Sequence, residues 1–309
     1  MASFHQSPEA WTGRSDPEDG ADAIRMHHMV QDKARRGVLG FACEAGVARN
    51  KGRLGAKEGP KALRNALGRL AAGPSPLAFS DFGDVVVDDD DLDAGQKLLA
   101  SCVTDALTVV DRLVVFGGGH ETAYGDFLGL AKRFSGKKIG IINFDAHLDL
   151  RNPSDAGPSS GTPFNQIREL APEQFDYLCL GVAEEANTAA LFNRAADWGV
   201  GVVMDHQLII SSEAGLIEID AIAARNDVLY LTIDIDVLPH FQAPGVSAPA
   251  ARGVSLSIIE ALIQRVLDHA RNGTCLLPLA DLVELSPPHD RDGVTAATTA
   301  YLARSLLLG

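Results

Sequence analysis

Short apolar runs alternate with amphipathic segments along most of the chain. Four of the runs span residues 37–42, 138–144, 227–235 and 276–285, and their apolar residues stand at consecutive rather than only at alternate positions. Strands with two apolar faces are typical of a parallel sheet that is covered by helices on both sides. We therefore predict an α/β fold: one three-layer domain in which helices flank a central, mostly parallel β-sheet.

Helical patterns lie between these runs, as βαβ units require. We expect helices near residues 61–71, 94–110, 122–134, 185–197, 213–225, 255–271 and 293–308. The first 36 residues are polar and contain one more helical pattern, near 20–36. Since no clear linker or repeat interrupts the sequence, we predict a single domain over residues 1–309, with residues 1–36 as a polar N-terminal extension packed on it.

The composition of the chain excludes some classes of protein. The chain has 309 residues, of which 46% are apolar, and it carries a formal charge of −14. An acidic protein of this kind is not expected to bind nucleic acid, because contact with phosphates requires clustered lysines and arginines. Part of the charge falls in the acidic run at 85–93, which we predict to be a solvated loop.

Sequence features also bear on the compartment. The chain contains no stretch of about 18 apolar residues, so no membrane-spanning helix is expected, and its polar N-terminus lacks the apolar middle of a signal peptide. The four cysteines, at positions 43, 102, 179 and 275, show no CxxC spacing, which fits a reducing compartment. We therefore predict a cytoplasmic protein without membrane contact.

Candidate chemistry lies directly after the apolar runs. In parallel α/β sheets, functional sites form just beyond the carboxyl ends of the strands. We expect the polar side chains that follow four of the predicted strands to meet at one edge of the sheet. They are His120 in "VVFGGGHE", Asp145, His147 and Asp149 in "INFDAHLD", Asp234 and Asp236 in "YLTIDIDVL", and Glu284 in "LADLVELSP".

The spacing within these motifs constrains the backbone. Side chains at alternate positions of a strand face the same side, but an extended strand would hold Asp145 and Asp149 about 13 Å apart. That separation is too large for one metal centre. We therefore predict that the strand ends near Asp145 and that the following loop curls back. Asp234 and Asp236 pose the same problem.

Burial of these acids would require cations. A buried carboxylate without a partner is very unfavourable, and two divalent ions would balance the charge of four aspartates. The imidazoles of His120 and His147 would complete a ligand set that contains no thiolate, which favours Mn²⁺ over structural Zn²⁺. Taken singly, each motif has an ordinary explanation, such as a glycine turn or a capping cluster. Together they predict two Mn²⁺ ions per chain, which would activate a bridging water.

Three segments, "GGGHE", "NFDAHLDLR" and "TIDIDVLPHFQAPGVSAPAARG", resemble the metal motifs of the arginase–agmatinase–formimidoylglutamase family. The resemblance covers about residues 10–309, and "SSGTPF" is similar to the formimidoylglutamase branch. It implies an arginase-like fold and assigns catalysis to Asp149 and to Glu284, which would hold a cationic nitrogen of the substrate. The implied metal ligands are His120, Asp145, Asp149 and Asp234 for one Mn²⁺, and Asp145, His147, Asp234 and Asp236 for the other.

One position departs from the guanidine-cleaving members of the family. Those members carry a histidine just before the glycine of a "G-T/Q-P" motif, where this chain has Ser160. Serine cannot titrate near neutral pH as histidine can. The difference therefore disfavours arginase or agmatinase activity and agrees with the formimidoylglutamase branch.

A substrate with carboxylates would need cationic partners. Guanidinium groups bind carboxylates bidentately, and Arg151 comes directly after the predicted ligands of the second motif, at its end. Arg252 follows "APGVSAPAA", beyond the ligands of the third motif, while Asn50 and Arg53 lie in the loop after the first predicted strand. Many surface arginines are simply solvated, so the position of Arg151 makes it the leading candidate. We expect these residues and Ser160 to contact the substrate.

The leading functional hypothesis is a formimidoylglutamase, which hydrolyses N-formimidoyl-L-glutamate to L-glutamate and formamide in histidine breakdown. One alternative is an agmatinase or another guanidino-acid hydrolase that releases urea. Another is a metal-binding scaffold without catalytic activity. Both enzymatic hypotheses predict a small-molecule substrate, and the resemblance to the family implies a homo-oligomer.

Overall fold

A nine-stranded sheet forms the centre of the computed structural model, which describes residues 3–88 and 90–309. Its strands lie in the order β1-β3-β2-β4-β9-β8-β5-β6-β7, and all neighbours are parallel except β1 and β3. The strands are β1 (Ser3–Gln6), β2 (Arg36–Ala42), β3 (Ser80–Val87), β4 (Arg112–Phe116), β5 (Ile139–Phe144), β6 (Asp176–Val182), β7 (Gly201–Met204), β8 (Val228–Asp234) and β9 (Leu276–Val283).

Helices cover both faces of this sheet. The α-helices in the described residues are α1 (Ala45–Arg49), α2 (Gly59–Arg69), α3 (Leu92–Ala106), α4 (Thr122–Arg133), α5 (Pro163–Leu170), α6 (Ala189–Asp197), α7 (Asp205–Ile210), α8 (Glu213–Arg225), α9 (Leu256–Arg271) and α10 (Val294–Leu308). None of them combines the length and the apolarity that crossing a membrane requires.

Two apolar cores result from this arrangement, one on each face of the sheet. Helices α2, α8, α9 and α10 contribute to the first core, and α3, α4, α5 and α6 contribute to the second. Successive residues of a strand alternate between the cores: Val114 belongs to the first and Val115 to the second. Both faces of the central strands are therefore apolar, and the predicted three-layer α/β fold is confirmed.

The prediction of a helix near residues 20–36 is wrong. The segment contains a 3₁₀ turn at Met26–Met29 and enters β2 at Arg36. Several of its backbone groups bond to distant residues: the N–H of Met26 donates to the Leu70 carbonyl at 2.9 Å, and the N–H of Gln31 donates to the Phe79 carbonyl at 2.9 Å. Pairing with the chain between α2 and β3 thus replaces the hydrogen bonds of a helix.

The acidic run at 85–93 is only partly a loop. β3 continues to Val87, and α3 begins at Leu92. The side chains of Val85 and Val87 are buried in the second core, so apolar packing extends the strand into the run. Asp89, which falls in the predicted loop, lies outside the described residues.

A buried ion pair joins α2 to β3. The guanidinium of Arg64 donates to Asp81 at 2.8 and 3.0 Å and to Asp84 at 2.6 Å. The side chains of Arg64 and Asp81 are only 11% and 1% exposed. Asp81 also accepts a hydrogen bond from the Trp11 indole at 2.7 Å, so the same carboxylate attaches the N-terminal segment to the sheet.

We expect Arg64→Leu to lower the free energy of unfolding by about 3–5 kcal/mol, because the Asp81 carboxylate would stay buried without its charge partner. Urea denaturation measures the change. Arg265→Leu is the control, since Arg265 pairs with Asp220 at the surface and exposed pairs contribute little. Equal losses of stability in the two variants would contradict the prediction.

Candidate metal centre

Four adjacent strands present the predicted ligands at one edge of the sheet. β4, β9, β8 and β5 are neighbours in that order and are all parallel, so their carboxyl ends lie side by side. His120 follows β4 after a glycine turn, Glu284 follows β9, Asp234 ends β8, and Asp145 follows β5. The topology thereby brings together residues as distant in sequence as His120 and Glu284, which are 164 positions apart.

The two aspartate motifs use the same local turn. Oδ1 of Asp145 accepts the N–H of His147 at 2.6 Å, and Oδ1 of Asp234 accepts the N–H of Asp236 at 2.8 Å. An aspartate that bonds to the backbone two residues further on turns the chain at that point. β5 accordingly ends at Phe144, and residues two positions apart can face one centre.

The first group of candidate ligands surrounds His120. Its Nδ1 lies 3.1 Å from Oδ2 of Asp145, 3.1 Å from Oδ2 of Asp149 and 3.3 Å from Oδ2 of Asp234. The ligand atoms of His120, Asp145 and Asp234 all lie within 4.8 Å of one another. One imidazole nitrogen and several carboxylate oxygens at this spacing could bind a single divalent cation.

A second group adjoins the first and shares Asp145 with it. Nδ1 of His147 lies 3.1 Å from Oδ2 of Asp236 and 3.4 Å from Oδ1 of Asp145. The ligand atoms of these three residues also lie within 4.8 Å of one another. Two groups that share a carboxylate resemble a two-metal site, in which the ions are about 3.5–4 Å apart. A bridging role for Asp234 stays a prediction.

The buried charges of the centre favour cations. Burial and the charges of Asp236 and Asp145 raise the pKa of Asp234 well above its ordinary value. Burial also opposes charge on His120, but hydrogen bonds from the charged ring to the surrounding aspartates outweigh it and raise the pKa of the imidazole. The carboxylates therefore stabilise positive charge at this position, and divalent cations would supply it.

Buried oxygens without a hydrogen-bond partner also favour a bound cation. Among the described residues, Oδ1 of Asp236 and Oε2 of Glu284 are buried without a hydrogen-bond partner. Buried polar atoms nearly always have a partner, so these oxygens are available to a ligand. Carboxylate oxygens together with imidazole nitrogens suit Mn²⁺, and the residues of the centre fit such an ion.

Two residues of the centre have left-handed backbone conformations. The φ angle is 47° at Asp149 and 67° at Glu284, values that are uncommon outside glycine and that concentrate at functional sites. Oε1 of Glu284 accepts the backbone N–H of His120 at 3.0 Å. Burial and the charge of Glu121 raise the pKa of the Glu284 carboxyl to about 8. Glu284 is thus held next to the first ligand group.

A cavity of about 360 Å³ opens beside the centre. The acidic part of its wall belongs to the metal centre, and the basic part belongs to the chain between α1 and α2 and to the loop after β5. The acids are Asp149, Asp234, Asp236 and Glu284, and the bases are Lys51, Arg53 and Arg151. The wall therefore carries both acidic and basic side chains.

Comparison with known proteins agrees with this geometry. The model of the Arginase family matches residues 34–309. This chain belongs to that family. A formimidoylglutamase from Vibrio vulnificus is 46% identical over 315 residues, which cover 94% of this chain and 92% of the relative. A formimidoylglutamase from Chromobacterium violaceum is 46% identical over 309 residues, which cover 96% of each chain.

A solved structure of an arginase-family relative shares the fold. The formiminoglutamase from Trypanosoma cruzi, crystallised with Mn²⁺₂, superposes with a TM-score of 0.75 at 27% identity and covers 89% of this chain and 93% of its own. The resemblance drawn from the three sequence motifs, including that to the formimidoylglutamase branch, is confirmed.

This arginase-family chain places four of the predicted substrate residues in the cavity wall: Asn50, Arg53, Arg151 and Ser160. The amide of Asn50 donates to Oγ of Ser160 at 3.2 Å. Arg252 is not among the described residues of the wall, and its Nε lies 3.3 Å from Oδ2 of the buried Asp205. Contact of these residues with a substrate stays a prediction.

The two arginines of the wall differ in the freedom of their side chains. Nε of Arg53 donates to the Ser247 carbonyl at 3.1 Å, so part of its guanidinium is occupied. Arg151 instead lies over Gly161, where an added Cβ would come within 2.9 Å of the arginine Cδ. The absence of a side chain at Gly161 therefore makes room for Arg151.

Sequence reasoning missed four residues near this site. Lys51 lines the cavity with a left-handed φ of 61°, a strain that no sequence pattern shows. Glu121, Asp126 and Asp281 are fully buried acids. Glu121 adjoins His120 in "GGGHE" and Asp281 lies in an apolar run, which are weak signals, whereas Asp126 looks like an ordinary exposed residue of a helix.

We expect Asp234→Asn to reduce the Mn²⁺ content of the dialysed protein at least about tenfold, because a neutral amide removes a charged oxygen from the ligand set. Elemental analysis after equilibration with Mn²⁺ measures the content. Asp220→Asn is the control, since Asp220 pairs with Arg265 at the surface. A full metal complement in Asp234→Asn would refute its role as a ligand.

Proposed function

We propose that this arginase-family chain is a formimidoylglutamase with two Mn²⁺ ions. It would hydrolyse N-formimidoyl-L-glutamate to L-glutamate and formamide, as a step of histidine breakdown. The observation that carries the proposal is the presence of both acidic and basic side chains in the wall of one cavity beside the metal centre. The shared name of the relatives from Vibrio vulnificus and Chromobacterium violaceum supports the same activity.

The two parts of the wall match the two ends of this substrate. The formimino group is cationic, and it suits the part that contains Glu284 and the aspartates. The two carboxylates at the other end suit Lys51 and Arg151, which can bind them by charge-assisted hydrogen bonds. Agmatine has no carboxylate and arginine has one, so neither uses the basic part of the wall to the same extent.

Two sets of residues would hold the ions, and their shared members would be Asp145 and Asp234. Bound there, the ions would act as Lewis acids that make a water nucleophilic at neutral pH. The chain fixes the ligands by backbone contacts: the N–H of His147 holds Asp145, and the N–H of Asp236 holds Asp234. The sets are His120, Asp145, Asp149 and Asp234 for one ion, and Asp145, His147, Asp234 and Asp236 for the other.

Glu284 would orient the reacting group. Its Oε1 is bound to the amide of His120, while Oε2 has no partner among the described residues. Oε2 can therefore accept a hydrogen bond from an N–H of the formimino group. Water then adds to the formimino carbon, the bond from that carbon to the glutamate nitrogen breaks, and this nitrogen takes up a proton. The products are formamide and glutamate.

Ser160 argues against cleavage of a guanidine. It occupies the place of the histidine that is thought to shuttle protons in arginases and agmatinases. Here it is a buried hydroxyl that accepts a hydrogen bond from Asn50 at 3.2 Å. Since serine does not titrate near neutral pH, it could not perform that transfer. This observation disfavours the agmatinase alternative.

A panel of three substrates tests the proposal. With Mn²⁺ added, we expect kcat/KM for formamide release from formimidoylglutamate to exceed kcat/KM for urea release from agmatine or arginine at least about tenfold, because a charge-assisted bond contributes roughly 1.5–3 kcal/mol. Enzymatic assays of formamide and urea measure both products, with Asp234→Asn as the inactive control. Faster release of urea would overturn the assignment, and release of neither would favour the scaffold hypothesis.

We expect Arg151→Ala to raise KM for formimidoylglutamate roughly ten- to a hundredfold by removing one charge-assisted hydrogen bond. kcat should change less, since the contact is remote from the attacked carbon and similar in the ground and transition states. Steady-state kinetics with metal content checked measures both constants. Arg265→Ala is the control, because Arg265 pairs with Asp220 at the surface and is not among the described residues of the cavity wall. An unchanged KM in Arg151→Ala, or an equal rise in both variants, would contradict this role.

A further inference from the structure

A buried polar network continues from His120 on the Nε2 side of its ring. Nε2 lies 3.0 Å from Oγ1 of Thr232, and the Thr232 hydroxyl donates to Oδ1 of Asp281 at 2.7 Å. Oδ2 of Asp281 accepts from the hydroxyl of Tyr230. All four side chains are buried. The network thus links the loop after β4 to β8 and β9.

Asp126, on α4, adjoins this network. Both of its carboxyl oxygens are buried without a hydrogen-bond partner among the described residues. Burial and the charge of Asp281 raise the pKa of Asp126 well above its ordinary value. Charge on one of two neighbouring buried carboxyls disfavours charge on the other.

The number of available hydrogen atoms determines which group donates in each hydrogen bond of this network. Asp281 only accepts, and the Thr232 hydroxyl has a single hydrogen, which it gives to Asp281. The Thr232 oxygen can therefore only accept from His120, which requires the proton of a neutral ring to lie on Nε2. Nδ1, which lies 3.1 Å from Asp145, is then the nitrogen left to bind a cation. A hydrogen bond to the second nitrogen selects the binding nitrogen of a metal-bound histidine in this way.

We propose that Asp281 is a positioning residue of the metal centre, which acts through Thr232 to fix the tautomer and orientation of His120. Asp281 is not among the described residues of the cavity wall, so it would act on the centre and not on the substrate. The inference rests on the metal centre of the proposed function.

The test compares two variants of Thr232. Thr232→Val keeps the shape but removes the hydroxyl, so Nε2 of His120 loses its acceptor. We expect the Kd for Mn²⁺ to rise about 10- to 100-fold, as is usual when the partner of a metal-bound histidine is lost. Thr232→Ser keeps the hydroxyl and should bind Mn²⁺ like the unmodified protein. Titration with Mn²⁺, followed by electron paramagnetic resonance of the free ion, measures Kd without substrate.

The variant Tyr230→Phe distinguishes a positioning role of the network from a general effect on packing. It removes the other hydroxyl that donates to Asp281, at an equally buried site, but this hydroxyl does not bond to His120. We expect it to lower Tm while the Kd for Mn²⁺ stays near that of the unmodified protein. Equal weakening of Mn²⁺ binding in Tyr230→Phe and Thr232→Val would overturn the positioning role.

A pair of variants at Asp281 gives a second test that does not depend on Thr232→Val folding. Asp281→Asn keeps an acceptor oxygen for the Thr232 hydroxyl and should retain Mn²⁺ affinity, whereas Asp281→Leu removes that acceptor and should weaken it. Unchanged Kd in both Thr232→Val and Asp281→Leu would refute this inference alone. Failure of the unmodified protein to bind Mn²⁺ would instead refute the proposed function.

Discussion

The crowding of four aspartates at one end of a parallel sheet, three of them buried, is the constraint on which the site depends. Asp145, Asp234 and Asp236 are at most 3% exposed, and like charges repel strongly where water is excluded. Backbone N–H groups and two imidazoles relieve part of this repulsion, and divalent cations would relieve the rest. The arrangement that is locally unfavourable for folding is thus the one that suits metal binding.

The backbone of the fold fixes the positions of these aspartates. Parallel strands end together, and the turns after β5 and β8 are closed by the first aspartate of each motif. The carboxylates are therefore oriented by bonds within the chain, before any ion is considered. Such preorganisation of ligands by neighbouring groups is what gives metal sites their geometry.

Sequence patterns predict the features that repeat along the chain, but not those that depend on distant partners. Strands with two apolar faces revealed the sheet, and the bounds of α8 match the predicted 213–225. Short elements such as β1 (Ser3–Gln6) carry too few residues for a period to show. The pairing of Arg252 with Asp205, and the burial of Asp126 beside Asp281, follow from tertiary packing that no local pattern encodes.

The position of β9 has a consequence for biosynthesis. This strand lies between β4 and β8, yet it is made after both, so during translation the sheet exists as two unjoined parts. His120 belongs to one part, and Asp145 and Asp234 belong to the other. Until Leu276–Val283 leaves the ribosome, the strand that joins these two parts is missing, and the edges of β4 and β8 are open to pairing with other chains. The candidate ligands, all of which precede β9 in the sequence, can therefore take their positions in the joined sheet only after this strand has been made.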